Sequence, residues 1–161
     1  MTDTAIEVPA PAEMSREETI EQLRAQQNFA MAVPAGLAAA IIGAMVWATF
    51  VYFTEIKLGL IVVAVGALVG YAIRKAGHGL DPQFGVLGGA CAALGWALGT
   101  VLCDIAFVAK NVDRSFFDVL TTLGIGESVL LAFRAADGMD LVFLAIAVWE
   151  GYKLSLRYKL R

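Results

Sequence analysis

The chain alternates between long stretches without a single charge and short polar joints. Residues 29 to 53, 58 to 73 and 82 to 103 contain no Asp, Glu, Lys or Arg. An apolar run of about 18 or more residues is a candidate transmembrane helix, because about 20 residues at 1.5 Å each cross the hydrocarbon core. The pattern predicts an all-α, polytopic membrane helix bundle. Its four transmembrane helices fall at about 28–53, 58–76, 82–109 and 139–157. Residues 1–14 carry Pro, Ala and acids without an apolar period and read as a flexible acidic tail. Residues 15–28 open with Ser15 and Glu18 in capping-box spacing and read as a polar helix running straight into the first span. Residues 29–161 then form the membrane domain. Pro34 is placed near the start of the first span, where a missing N–H costs least. Trp47, Tyr52 and Phe53 are expected to form an aromatic belt at its far end.

The joints shape the rest. Residues 54–57 are so short that the second span must run back beside the first. Gly77, Gly79, Asp81 and Pro82 spell a tight turn and a helix restart, with Asp81 as N-cap and Pro82 in the first turn. Residues 115–134 mix apolar positions with Asp118 and Glu127, and Gly124 and Gly126 interrupt them. An interfacial or re-entrant helix fits this segment better than a fifth span.

Composition agrees with the pattern. Of 161 residues, 59% are hydrophobic and the mean hydropathy is +0.72, well above an ordinary soluble domain. The net charge of −3 comes with acids crowded at the front, so no nucleic-acid partner is expected. With four spans, eight Lys and Arg share the side of both termini and four lie opposite. The positive-inside rule then places both termini of this multi-pass protein in the cytoplasm.

The most specific pattern is a set of small residues. Gly59, Gly66 and Gly70 stand at spacings of seven and four on the second span. The third carries Gly85, Gly88, Gly89, Ala92, Gly95 and Gly99. Lipid offers no hydrophobic drive between helices, so close backbone approach through such glycine-zipper faces holds membrane helices together. Packing of the two arms on each other is the plainest use. Self-association, or docking of another membrane protein, is the second.

Polar groups inside the spans are the candidates for chemistry. Glu150 lies one turn from Lys153, and Asp104 sits in the third span. A buried carboxylate in a membrane needs a partner or water, and Lys153 or Arg74 are the expected partners of Glu150. The alternative is a small oligomeric channel or transporter lined by Glu150, Asp104 or Glu55. His78 stands without companions at ligand spacing, so no metal is expected. Cys91 and Cys103 fall about 18 Å apart along one helix and read as buried, reduced thiols. No catalytic motif occurs, and neither an enzyme nor a cofactor is expected.

The run Gly66-Ala-Leu-Val-Gly-Tyr-Ala-Ile-Arg74, the Gly77-His-Gly-Leu-Asp81 turn, the following glycines and the closing Trp149-Glu-Gly-Tyr-Lys153 resemble an uncharacterised bacterial four-span inner-membrane protein family. The resemblance covers about residues 30 to 158. It implies a membrane domain used as a module, often attached to something cytoplasmic, and no assigned activity. Some members carry a zinc-ribbon-like module before the first span. This chain has a cysteine-free acidic tail there, so no zinc role carries over.

Overall fold

The computed structural model describes residues 16–54, 56, 59–123, 126, 130 and 138–156. The acidic tail, Ser15, Glu55, the Gly124 break, Arg134 and the last basic residues lie outside them. Among the described residues there is no strand. The helices are α1 (Arg16–Ala25), α2 (Phe29–Thr54), α3 (Leu60–Gly77), α4 (Pro82–Asn111), α5 (Phe116–Leu123) and α6 (Gly138–Ser155).

Three of them, α2, α3 and α4, are long and apolar enough to cross a membrane, which makes the chain a membrane protein. At 1.5 Å per residue, the 26, 18 and 30 residues reach about 39, 27 and 45 Å, against a hydrocarbon core of about 30 Å. The fourth expected span, α6, matches α3 in length but carries Asp140, Glu150 and Lys153. By composition it therefore stands apart from the other three.

The first helices are not continuous. α1 ends at Ala25, and Asn28 caps α2, its Oδ1 accepting the Met31 N–H at 3.0 Å. The Asn28 N–H donates to the Gly77 carbonyl at 2.9 Å, so a side-chain cap and a bond to the next hairpin replace the expected run-through. Pro34 lies past the first turn of α2 and supplies no N–H to the Ala30 carbonyl, a costlier place than the sequence reading gave it.

The α3–α4 turn forms where the glycines predict it, with two differences. His78, a non-glycine, takes the left-handed position (φ 49°) and donates its N–H to the Arg74 carbonyl at 3.1 Å. Asp81 occupies the N-cap position of α4, but its side chain makes no cap bond. Its carboxylate turns to Arg24, 3.6 Å away, and accepts from Gln27 Nε2 at 3.2 Å. Gln27 Oε1 accepts the Leu80 and Asp81 N–H groups at 3.2 and 3.4 Å. One polar side chain thus ties the start of α2 to the turn.

In the bundle, α3 and α4 pack against each other and each touches both α2 and α6, whereas α2 and α6 do not meet. α2 runs antiparallel to α3, with Gly36 at Ile73 and Gly43 at Val65; α6 runs parallel to α3, with Gly59 at Phe143 and Gly70 at Leu154. The start of α2, the α3–α4 turn and the end of α6 therefore share one end of the bundle. Two apolar clusters fill the middle. Ala39, Val69, Ile73 and Phe84 belong to one, and Trp47, Val62, Trp96 and Ala147 to the other. At the opposite end, α5 lays Val119 on Ile105 and Ala109 of α4. Ile41, Ile42 and Val46 of α2, with Leu141, Val142 and Trp149 of α6, face outward, as a lipid-facing surface requires.

Candidate functional site

The glycine faces meet a different partner from the expected one. The stripes of α3 and α4 meet mainly α6 and α2, and Gly95 of α4 also packs against Val65 of α3. A Cβ placed on Gly66 would press into the backbone of Ala147, and one on Gly70 would stand 2.8 Å from Leu154 Cβ and 3.0 Å from the Gly151 carbonyl oxygen. Gly59 faces the Phe143 ring, and Gly85 lies against Tyr152, 2.7 Å from a Cβ to the ring. Gly88 meets Ser155 and the Gly151 carbonyl, and the reverse approach, from Gly151 to the Gly88 oxygen, is 2.7 Å. Ala92, fully enclosed, stands 2.9 Å from a Cβ on Gly151. Gly89 has more room, at 3.3 Å from Val148 Cγ1.

Further along α4 the partner changes. Gly95 packs on Val65 and Ala40, and Gly99 accommodates the Trp47 ring. Trp47 is thus folded inward instead of joining a belt, while Tyr52 and Phe53 remain exposed. A bulky indole turns inward here because Gly99 leaves a side-chain-sized recess in α4. Its Nε1–H is buried without an acceptor among the described residues.

Sequence reasoning missed half of each seam. Gly36 and Gly43 of α2 repeat the seven-residue spacing seen on α3, and Ala32, Ala39 and Ala40 lie buried with them. Gly151 and Ser155 complete α6, where the buried Ser155 hydroxyl donates to the Gly151 carbonyl at 2.6 Å. The seven-residue spacing was the available signal for α2; on α6 an isolated Gly151 beside the charged Glu150 offered none.

The polar candidates do not assemble into one centre. Glu150 pairs with Lys153 on its own helix, at 3.9 Å, both side chains partly exposed. Asp104 lies 16 residues beyond Gly88 on α4, about 24 Å along the axis, while Glu150 is next to Gly151, which touches Gly88. The two carboxylates therefore occupy different levels of the bundle. Arg74 does not reach Glu150; with Tyr71, Lys75 and His78 it lines a cleft of about 420 Å³ on the outer side of α3. At the other end, an apolar groove of about 380 Å³ opens between Met45, Tyr52, Leu102 and Phe116. Lys110 lies over the Tyr52 ring, 5.7 Å from its centroid, and donates to the Tyr52 carbonyl. Cys91 and Cys103 are buried and are not joined in a disulfide. Among the described residues no three His, Cys, Asp or Glu side chains gather as metal ligands.

The arrangement offers close-packed backbone seams inside, a basic cleft at one rim and an apolar groove at the other. In comparisons with known proteins, no family model, no curated protein and no solved structure matches this chain.

Proposed function

We propose that the chain is an integral-membrane structural and interaction module. In this reading α2, α3, α4 and α6 all cross the bilayer of a bacterial inner membrane, with both ends of the chain in the cytoplasm and α5 in the opposite interface. The observation that carries it is the seam in which Gly66, Gly70, Gly88 and Gly151 bring three helix backbones together. Such contact is the device by which helices associate where water supplies no drive, and it ties α6 to two helices apolar enough to span. The resemblance to bacterial four-span proteins supports the same reading.

The small-residue faces are occupied within the chain, so contact with a second copy or another membrane protein falls to outward residues such as Ile42 and Val46 of α2. A transport path built on Glu150 and Asp104 finds less support, since the two lie on different levels and Glu150 pairs with Lys153. The test is the assembly mass of the full chain in lipid nanodiscs by light scattering. A mass above one copy that falls with Val46→Asn and persists in Gly89→Ala supports association through the outer face. A single copy in both removes the interaction half of the proposal and leaves membrane anchoring.

A further inference from the structure

The residues along the outer side of α3 change character in one step. Leu60 and Leu68 are exposed and apolar, and one turn later come Tyr71, Arg74, Lys75 and His78 around the 420 Å³ cleft. Positions 71, 74 and 75 follow helical i, i+3, i+4 spacing and so share one face of α3, and His78, just past its end, lines the same cleft. Cations in a last turn often serve the helix's own carbonyl ends. Here the Arg74 carbonyl is taken by the His78 N–H, and among the described residues the Arg74, Lys75 and His78 side chains make no hydrogen bond or ion pair. Two carboxylates at this end are engaged elsewhere, Asp81 with Arg24 and Glu150 with Lys153. One guanidinium, one ammonium and one imidazole thus surround a recess that opens where an apolar, outward stripe ends.

We propose that this cleft holds the phosphate headgroup of an anionic glycerophospholipid whose acyl chains run along the Leu68 side of α3. Arg74 offers a planar fork suited to two phosphate oxygens, and Lys75 adds a point charge beside it. Tyr71 stands where an aromatic ring with a polar tip meets the headgroup level. Basic pockets beside membrane helices take anionic headgroups on the same grounds. The inference rests on α3 crossing the bilayer, which impermeant-maleimide labelling of single cysteines at Ile56 and Gln83, on either side of α3, decides separately: labelling from opposite faces with no lipid preference sinks the lipid site alone.

The test is native mass spectrometry of the full chain in neutral detergent, titrated with dioleoyl phosphatidylglycerol or dioleoyl phosphatidylcholine. Retention of the anionic lipid is expected to exceed that of the zwitterionic one. It should fall about fivefold per cation removed, or about 25-fold in R74Q/K75Q, with the zwitterionic lipid unaffected. Both side chains are exposed, so the variant folds, and its circular dichroism melt should match wild type. Equal retention of the two lipids, or unchanged anionic retention in R74Q/K75Q, overturns the proposal. So does displacement of the lipid by equimolar inorganic phosphate, which would make the cleft a soluble-anion site. Anionic binding that emerges only in D3N/E7Q/E13Q would assign the cleft to the chain's own acidic tail instead.

Discussion

Adding one methyl group at Gly66 and at Gly89 should move stability in opposite directions. At Gly66 the new Cβ would lie 2.9 Å from the Ala147 Cα and 3.0 Å from its carbonyl carbon. Ordinary carbon contacts sit at about 3.5–4.0 Å, and every atom met belongs to backbone. No side chain can swing aside, so α6 itself must retreat by about half an ångström or more. That shift would loosen the neighbouring approaches of Gly70 and Gly88 to Gly151 as well. Overpacking of this kind costs about 1–3 kcal/mol, set against about 1 kcal/mol gained when Ala replaces Gly in a helix. Because every contact is with backbone, the cost falls at about 2–3 kcal/mol, the upper part of that range, and Gly66→Ala should lose about 1–2 kcal/mol net. At Gly89 the nearest atom is a methyl of Val148 at 3.3 Å, which yields by a small rotation, so Gly89→Ala should be neutral or gain up to about 1 kcal/mol. The assay is unfolding of the full chain in mixed micelles as the SDS fraction rises, followed by far-ultraviolet circular dichroism. A Gly66→Ala variant as stable as wild type would refute the backbone seam between α3 and α6.

Other consequences follow from the same contacts. Gln27→Ala removes three hydrogen bonds to the α3–α4 turn; it should cost about 1–2 kcal/mol and speed hydrogen exchange at the Leu80 and Asp81 amides. Exchange unchanged at those amides would show that Gln27 does not hold the turn. Trp47→Ala empties the recess over Gly99 and should cost about 3–5 kcal/mol in the SDS titration, whereas the exposed Phe53→Ala should change stability little. Ser155→Ala deletes a buried donor whose acceptor, the Gly151 carbonyl, lies in the last turn of α6; a loss near 1 kcal/mol is expected, and a loss above about 3 would mean the hydroxyl serves more than its own helix.

The parts of the fold legible in the sequence are those written in charge and in turn chemistry. Helix bounds expected at 58–76, 82–109 and 139–157 form at Leu60–Gly77, Pro82–Asn111 and Gly138–Ser155, because charges and the Gly77–Pro82 signals stop a helix locally. Which faces meet was far less legible. α2 is apolar on all sides, so hydropathy does not distinguish the buried Ala39 from the exposed Ile41. Only the small size of Gly36 and Gly43 marks the inward face. Trp47 looked like an interfacial residue because its position along α2 suits one; its inward fold depends on Gly99, 52 positions away in sequence. Asp81 likewise fits an N-cap by local pattern, yet Arg24 and Gln27, brought in by the chain's return, take its carboxylate. Local signals set where helices begin and end, and long-range shape decides what each side chain touches.

The central claim is that α6 crosses the membrane as a fourth helix and returns the chain to the side on which α2 begins. It is tested most directly by reacting membrane vesicles with an impermeant maleimide after placing single cysteines at Gln83, Asp113 and Leu156 in the full chain. The native thiols are buried, so the unsubstituted protein supplies the blank. Gln83→Cys and Leu156→Cys should label only in inverted vesicles, and Asp113→Cys only in right-side-out ones. Labelling of Leu156→Cys from the same face as Asp113→Cys would contradict the claim and leave a three-span protein.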